Sequence, residues 1–401
     1  MPKKEKLKTE KSYLESTTDR VGEVAVHYGF LVIKPPHITA DDLHKLKSYK
    51  EFDHYNDALE KIALTRWYME ERFDLEAQPF AIHYKKPLGG HQVKKRHGTE
   101  TYGFEIMGSA KSTSEALLLK CALAVLEDQG YSDLFIDINS IGDRESIARF
   151  DRELGNYYRR NSHVIPAKIR GEFKKNHHLA LQDTRDETHD FRKNAPQPIS
   201  SLSENSRLHL KEVLECLETF NTTYKIKPNI LSNKHFASNT IFEIRKLKSD
   251  NDDEGELLAY GYRYNHLAKK LGGKREIPTV GLTIFVKKTK DSLKQVLIKN
   301  LKKPKFYLVQ LGQSAKLKAL HIVELLRKHK IPVYHSITKD KITGQLSGAE
   351  YTKATHVLIL GQKEAIENTI VVRNITNREQ DTIPIEELCD FLKKVNKAKW
   401  G

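Results

Sequence analysis

Apolar residues follow two different periods along the chain, which distinguish predicted strands from predicted helices. Apolar positions from Leu117 to Val125 recur at helical spacing and predict a helix over 112–129, with Gly130 as its stop. Short apolar runs bounded by turn residues predict strands over 28–33, 79–84, 102–107, 134–138, 239–244, 257–262 and 277–286. Further helices are predicted from Asp143 or Ser146 onward and over 206–220. Paired strands with separate helices predict an α+β core.

The pattern changes near Pro304, where short strands and helices begin to alternate. Strands are predicted over 306–311, 331–336, 357–360 and 370–372, and helices over 314–329, 345–351 and 385–395. Such alternation predicts an α/β domain with a largely parallel sheet. We therefore expect a basic tail at 1–12, a core domain at 13–301 and a C-terminal α/β domain at 302–401. Residues 160–205 are rich in charged pairs and are expected to form an inserted helical segment.

Positive charge is concentrated in two parts of this 401-residue chain, whose formal net charge is +15. Residues 281–341 hold 15 lysines and arginines against three acidic residues, a net charge of +12. Residues 83–97 (HYKKPLGGHQVKKRH) add five cations and no acid around a Pro-Leu-Gly-Gly turn. One lysine run usually marks a solvated face, but two separate basic clusters indicate a polyanionic partner, with nucleic acid first.

Other compositional features exclude several protein classes. The three cysteines, which are Cys121, Cys216 and Cys389, form no CxxC pair, which excludes a disulfide framework and a thiolate zinc site. His177 and His178 lack the spacing of a helical metal site, so no metal is expected. No apolar run approaches ~18 residues, and the first residues lack a secretory signal. We expect a cytoplasmic protein without a membrane partner.

Four local motifs carry a resemblance to a known family. They are INSIGDRES at 138–146, YGFEIMG at 102–108, GYRYNHL at 261–267 and PTVG at 278–281. In collinear order they resemble the histidyl-tRNA synthetase family of class II aminoacyl-tRNA synthetases. The C-terminal residues 307–388, including Gly312 and the LILG run at 358–361, resemble the anticodon-binding domain of the same enzymes.

The resemblance implies a class II synthetase-like core, in which helices pack on an antiparallel sheet, followed by an anticodon-binding-type α/β domain. It also implies a homodimer formed partly through the region from Tyr28 to Pro36. The resemblance also implies a remnant of the family's active-site pocket, here called the remnant pocket. Its Glu105 and Tyr264 match family residues that help to hold the histidine substrate, and Arg263 is also retained. Alternatively, Glu105 and Arg263 pair within the sheet while Tyr264 packs.

The catalytic cations of the family are replaced. His83 falls at the place of the family's first arginine, and Lys288 falls at the place of the second, with bulky Phe285 in place of a glycine. The family's Arg-Gly-Leu-Asp-Tyr-Tyr motif aligns with residues 232–237 and has lost its arginine and aspartate. Lysine does not replace the planar arginine fork at a nucleotide. The resemblance therefore implies a scaffold without the reaction centre.

The first functional hypothesis is a histidyl-tRNA synthetase-like protein that binds tRNA or another structured RNA without standard aminoacylation. Lysines would neutralise phosphates and make RNA affinity depend on salt. The expected RNA-binding residues are Lys85, Lys86, Lys94, Lys95, Arg96, Lys287, Lys290, Lys294, Lys302, Lys303, Lys305, Lys339, Lys341 and Gln345. Lys288 is also a candidate for phosphate contact.

Two other hypotheses stay open. A divergent histidine–tRNA ligase would use ATP and Mg²⁺, with His83, Lys86 and Lys288 in the roles of the arginines. A regulatory subunit of ATP phosphoribosyltransferase would also resemble these synthetases. That group usually lacks the anticodon-binding-type domain, which this chain keeps.

Overall fold

The computed structural model describes residues 12–49, 55–88, 98–182, 188–220, 222–233, 235–247, 255–301 and 304–397. Its helices are α1 (Arg20–His27), α2 (Ala40–Leu46), α3 (Ala58–Glu70), α4 (Thr113–Asp128), α5 (Arg144–Asn161), α6 (Ala167–Lys175), α7 (His177–Gln182), α8 (His189–Lys193), α9 (Glu204–Glu218), α10 (Leu267–Lys270), α11 (Ile298–Leu301), α12 (Gln313–Lys328), α13 (Ile342–Tyr351), α14 (Gln362–Glu367) and α15 (Leu388–Lys397). Its strands are β1 (Thr17–Thr18), β2 (Leu31–Val32), β3 (Phe80–Lys85), β4 (Thr99–Met107), β5 (Leu134–Gly142), β6 (Thr223–Ile226), β7 (Ser238–Lys246), β8 (Glu256–Arg263), β9 (Thr279–Lys287), β10 (Val296–Leu297), β11 (Phe306–Gln310), β12 (Val333–His335), β13 (His356–Leu360), β14 (Thr369–Asn374) and β15 (Gln380–Pro384).

An eight-stranded sheet has the strand order β2-β3-β4-β9-β8-β7-β5-β6. Strands β5, β7, β8 and β9 pair antiparallel in succession. The edge strands β2 and β6 pair parallel with β3 and β5. The predicted α+β class with an antiparallel-rich sheet and helices is confirmed.

The C-terminal sheet has the order β12-β11-β13-β14-β15. Strand β11 is parallel to β12 and β13, whereas β14 and β15 add antiparallel pairs. The prediction of a largely parallel sheet is therefore wrong in part, because β14 runs antiparallel to β13 and the polar edge strand β15 folds back on β14 as a hairpin. The α/β alternation itself is confirmed.

The described residues pack into two compact units, one drawn from 1–37, 81–104 and 286–401 and the other from 38–80 and 105–285. The first unit uses its N-terminal segment as core. Tyr28 is fully buried, and its hydroxyl donates to Glu324 Oε2 on α12 at 2.7 Å. The Ile33 amide donates to the His83 carbonyl at 2.9 Å, which continues the β2–β3 pairing. The region predicted to contribute to a dimer thus has partners inside one chain, and the dimer itself stays a prediction.

The second unit contains the predicted helices and the charged segment at 160–205. Asp143 begins α5, because its Oδ1 accepts from the Ser146 amide at 3.0 Å, and this confirms one of the two predicted starts. Short helices α6, α7 and α8 occupy the charged segment. They share a small core made of Tyr158, Ile165, Phe173, Ala180 and Phe191. Within the described residues, no helix is both long and apolar enough to cross a bilayer.

Candidate functional site

A buried lysine in the second unit contacts two of the residues expected at the remnant pocket. Lys61 Nζ, on α3, donates to Glu105 Oε1 at 2.6 Å, and the Tyr264 hydroxyl donates to Glu105 Oε2 at 2.8 Å. Each of the three side chains is at most 1% exposed. The ammonium also lies 5.0 Å from the ring centroid of Tyr264 and 5.6 Å from that of Tyr262, which adds cation–π stabilisation. Both oxygens of Glu105 are therefore used inside the protein.

The surrounding groups keep this arrangement charged. Burial lowers the pKa of Lys61, but the carboxylates of Glu105, Asp57 and Glu60 together outweigh it, so the pKa is raised above its usual value. Burial and Glu105 together raise the pKa of Tyr264 well above its usual value. A Cβ at Gly281, on β9, would overlap Glu105 Oε2 and Lys61 Nζ. Glycine at this position lets the strand pass beside the ion pair.

Arg263 makes a second buried ion pair and does not contact Glu105. Its Nε donates to Glu115 Oε1 at 2.8 Å, and its Nη2 donates to Glu115 Oε2. Its Nη1 donates to the Ser109 carbonyl at 2.7 Å, and Nη2 to the Lys111 carbonyl at 3.1 Å. The expected pairing of Glu105 with Arg263 is wrong, because each residue has a different buried partner. Arg263 fixes β8 to the start of α4.

His209 adds a third contact to Glu115, since His209 Nε2 lies 2.7 Å from Glu115 Oε1. Burial raises the pKa of Glu115, but Arg263 and His209 outweigh it and lower the pKa to about 2. The carboxylate is therefore ionised at every pH above the acid range.

His83 and Lys288, which are expected at the remnant pocket, belong to the other unit. There, His83 is uncharged and Lys288 is paired with a carboxylate. His83 is 2% exposed, with its ring centroid 4.4 Å from that of Phe104, and burial lowers its pKa to about 4. It is therefore uncharged near neutral pH. Lys288 Nζ lies 2.8 Å from Glu100 Oε1, and Lys85 Nζ lies 3.3 Å from Glu100 Oε2. One carboxylate is thus shared by two cations.

Three further side chains near these motifs make structural contacts in the second unit. The Tyr262 hydroxyl donates to Asp57 Oδ1 at 2.7 Å, and the residue is 1% exposed. Asn265 Oδ1 accepts from the Thr279 amide at 3.0 Å. Phe285 is half-buried, with its ring centroid 6.1 Å from that of Tyr260. These side chains act as core and turn residues.

The expected RNA-binding residues differ in accessibility. Lys85, Lys287, Lys290, Lys294 and Lys341 are exposed, Lys305 and Lys339 are half-buried, and Lys86 is buried. Lys94, Lys95, Arg96, Lys302 and Lys303 lie outside the described residues.

Gln345 is the expected contact residue that the structure places in the core. It is fully buried; its Oε1 accepts from the Gln310 amide at 3.0 Å, and its Nε2 donates to the Gln310 carbonyl at 2.9 Å and the Lys339 carbonyl at 3.2 Å. Both ends of its amide are used by backbone groups. Gln345 therefore holds the loop at Lys339 against β11, which corrects its expected role as an RNA contact.

Sequence patterns did not identify Lys61, Asp57 or Glu115 as parts of the site. No pattern marked these charges as buried, since Lys61 follows Glu60 directly and Glu115 follows the polar run at 112–114. Charged residues rarely become fully buried unless they are paired. Within the described residues, no cluster of three His, Cys, Asp or Glu side chains could hold a metal ion.

We expect Lys61→Met to lower the free energy of unfolding by about 3–5 kcal/mol, because it leaves the Glu105 carboxylate buried without its cation. Combining it with Glu105→Gln should restore about half of the loss or more, since the uncompensated charge is then gone. Urea unfolding of both single variants and the double variant measures this coupling. Lys211→Met, at an exposed helix position, is the control. Strictly additive losses would contradict a Lys61–Glu105 interaction.

The low pKa of Glu115 predicts an acid-dependent stability. A lowered pKa in the folded state contributes stability above the unfolded value of 4.5, and that contribution is lost as the pH falls toward about 2. The free energy of unfolding should therefore decrease by up to about 3 kcal/mol through this group. Urea unfolding between pH 6 and pH 3 should show a shallower pH slope for Glu115→Gln. An unchanged slope would show that Glu115 titrates normally.

Comparisons with known proteins agree with this fold. Residues 295–395 match the anticodon binding domain family. The histidine–tRNA ligase of Fervidobacterium nodosum is 29% identical over 300 residues, covering 74% of this chain and 69% of the ligase. That of Lysinibacillus sphaericus is 25% identical over 337 residues, covering 82% and 79%.

A solved structure extends the likeness to almost the whole chain. Apo histidyl-tRNA synthetase of S. aureus superposes with a TM-score of 0.51 at 20% identity, covering 93% of each chain. At this identity the superposition supports the fold, while the sequence matches support the family. Together they show that this chain is similar to histidyl-tRNA synthetases over most of its length.

Proposed function

We propose that this protein binds tRNA or another structured RNA and does not carry out standard aminoacylation. The observation that carries the proposal is the buried contact of Lys61 with Glu105. By the family resemblance, Glu105 and Tyr264 correspond to residues that help to hold the histidine substrate. Here the same carboxylate is occupied by an internal ammonium and an internal hydroxyl. A substrate amine or imidazole would have to displace Lys61 from a fully buried pair, at a cost of several kilocalories per mole.

The nucleotide side supports the same proposal. Activation of an amino acid by ATP requires cations that stabilise the charge developing on the phosphate. His83, at the position of one family arginine, is buried and its pKa is lowered to about 4. Lys288, at the position of the other, is paired with Glu100. Neither provides the bidentate guanidinium that grips a phosphate.

The RNA-binding part of the proposal depends on exposed charge in the first unit. Lys287, Lys290 and Lys294 are exposed at the end of β9 and in the turn after it. The matched anticodon binding domain begins at residue 295, directly after this group. A row of lysines entering such a domain suits the phosphate backbone of RNA, since phosphate contacts position a nucleic acid without reading its sequence. A homodimer, expected from the resemblance, and a cytoplasmic location, expected from the composition, belong to the same proposal.

A divergent histidine–tRNA ligase is the second candidate, because the curated relatives carry that name. For that activity, Lys61 would have to leave Glu105 when histidine binds. The retained Glu105 and Tyr264 would then be available again. The two candidates thus differ in whether the Lys61–Glu105 pair opens.

We expect the full-length protein to bind total tRNA at low salt and to lose affinity steeply between about 50 and 200 mM salt. Replacing Lys287, Lys290 and Lys294 together by Gln should reduce the magnitude of the log–log salt slope by about 2–3, because about 0.7–0.9 is lost per phosphate contact. Fluorescence anisotropy with labelled tRNA measures both quantities.

A matched control removes the same charge elsewhere. Replacing Lys211, Lys363 and Lys393 by Gln removes three exposed lysines, each of which lies beside an acidic residue on its own helix. This variant should keep most of the affinity and the slope. Equal losses in the two triple variants would mean that only net charge matters, and no binding by the unmodified protein at low salt would disprove the RNA-binding proposal.

A further inference from the structure

A cavity of about 330 Å³ lies in the second unit, apart from the Lys61 pocket and not used by the proposed function. Its walls come from the end of α7, from α8 and the loop after it, and from the turn after β6. The lining residues are Leu181, His189, Arg192, Lys193, Ala195, Pro196, Gln197, Pro198, Pro228 and Asn229. Its volume is at the lower end of the range for small-molecule sites, which indicates a compact ligand.

One wall of this cavity can carry positive charge. His189, Arg192 and Lys193 occupy positions i, i+3 and i+4 of α8, so their side chains share one helix face. Among the residues that the structure describes, the lining includes no acidic side chain. Asp190, on the same helix, is 95% exposed at its side chain, and its Oδ1 lies 3.3 Å from His189 Nδ1. The charge of the lining therefore favours an anion and opposes a metal ion or an amine.

Much of the remaining lining is apolar. Leu181 and Ala195 are buried members of the core cluster of this unit, so the floor is continuous with packed core. Pro196, Pro198 and Pro228 add three rigid rings that can lie against a planar group. The amides of Gln197 and Asn229 can donate to or accept from ring substituents. An apolar surface with a few polar groups is typical of a ligand site.

Hydrogen bonds hold both walls in place. The Tyr157 hydroxyl donates to the Phe191 carbonyl of α8 at 2.9 Å. Asn139 Nδ2 donates to the carbonyls of Pro228 at 3.0 Å and Ile230 at 2.8 Å. The cationic wall and the proline wall are thus each tied to the body of the unit. A cavity with fixed walls loses little conformational entropy when a ligand binds.

From these observations we infer that the cavity binds a phosphate-bearing ligand of mononucleotide size, with its phosphate at Arg192 and Lys193 and its ring against the prolines. Arginine and lysine form charge-assisted hydrogen bonds to phosphate oxygens, which are stronger than neutral ones. The same chemistry is offered by a free nucleotide and by one nucleotide of an RNA chain.

The test uses calorimetric titration of the full-length protein with AMP, adenosine and inorganic phosphate. We expect AMP to bind about tenfold or more tightly than either fragment, because only AMP engages both walls. Replacing Arg192 and Lys193 together by Gln should weaken AMP binding about tenfold or more. Gln197→Trp, at an exposed loop position, should also weaken it by filling the mouth of the cavity.

The control replaces Lys168 and Lys174 by Gln, which removes two exposed charges from α6 of the same segment. It should bind AMP as the unmodified protein does, and circular dichroism checks that every variant is folded.

A short single-stranded RNA is titrated in parallel. If the cavity variants lose AMP binding, the ligand of the cavity is a free nucleotide. If they lose RNA binding but keep AMP binding, the ligand is one nucleotide of an RNA chain. If the folded cavity variants bind AMP and RNA as the control does, or if no protein binds either probe, the inference is wrong.

Discussion

The buried ion pair of Lys61 and Glu105 is the constraint on which the rest of the second unit depends. Two charges removed from water are stable only if each finds a partner, and here the pair is completed by the Tyr264 hydroxyl. Gly281 leaves space for the pair on β9, while Tyr262 covers it and is itself held by Asp57. Strand β4 and Tyr264, the residue after β8, are thereby fixed to α3 through one carboxylate. A residue matching a substrate-binding glutamate thus has a clear role in folding.

Arg263 illustrates the same principle a short distance along the sheet. A retained arginine in a synthetase-like motif resembles a catalytic residue in sequence, yet its guanidinium donates to Glu115 and to two backbone carbonyls. Retention of residues therefore does not by itself support retained catalysis. The contacts that each residue makes are what separate a binding pocket from a packed core, and here they favour the packed core.

Sequence patterns predicted the fold class and most strands because apolar runs and turn residues report burial directly. They missed α3, because ten of its thirteen residues are buried and a helix surrounded by core shows no one-sided period. They missed β15, because Gln380–Pro384 is a polar, largely exposed edge strand.

The site was harder to predict from the sequence than the fold. Lys61 and Glu105 are 44 residues apart, so only the folded chain shows that they pair. Gln345 was misjudged because burial of an amide depends on neighbours that sequence spacing does not specify.

Histidine-dependent ATP–pyrophosphate exchange tests the central claim most directly, because it requires histidine and ATP to occupy the remnant pocket together. If Lys61 stays paired with Glu105, the full-length protein should show exchange no greater than a sample without histidine, at saturating ATP and Mg²⁺. Exchange well above that background would contradict the account, since it would require the buried pair to open and the pocket to be catalytic.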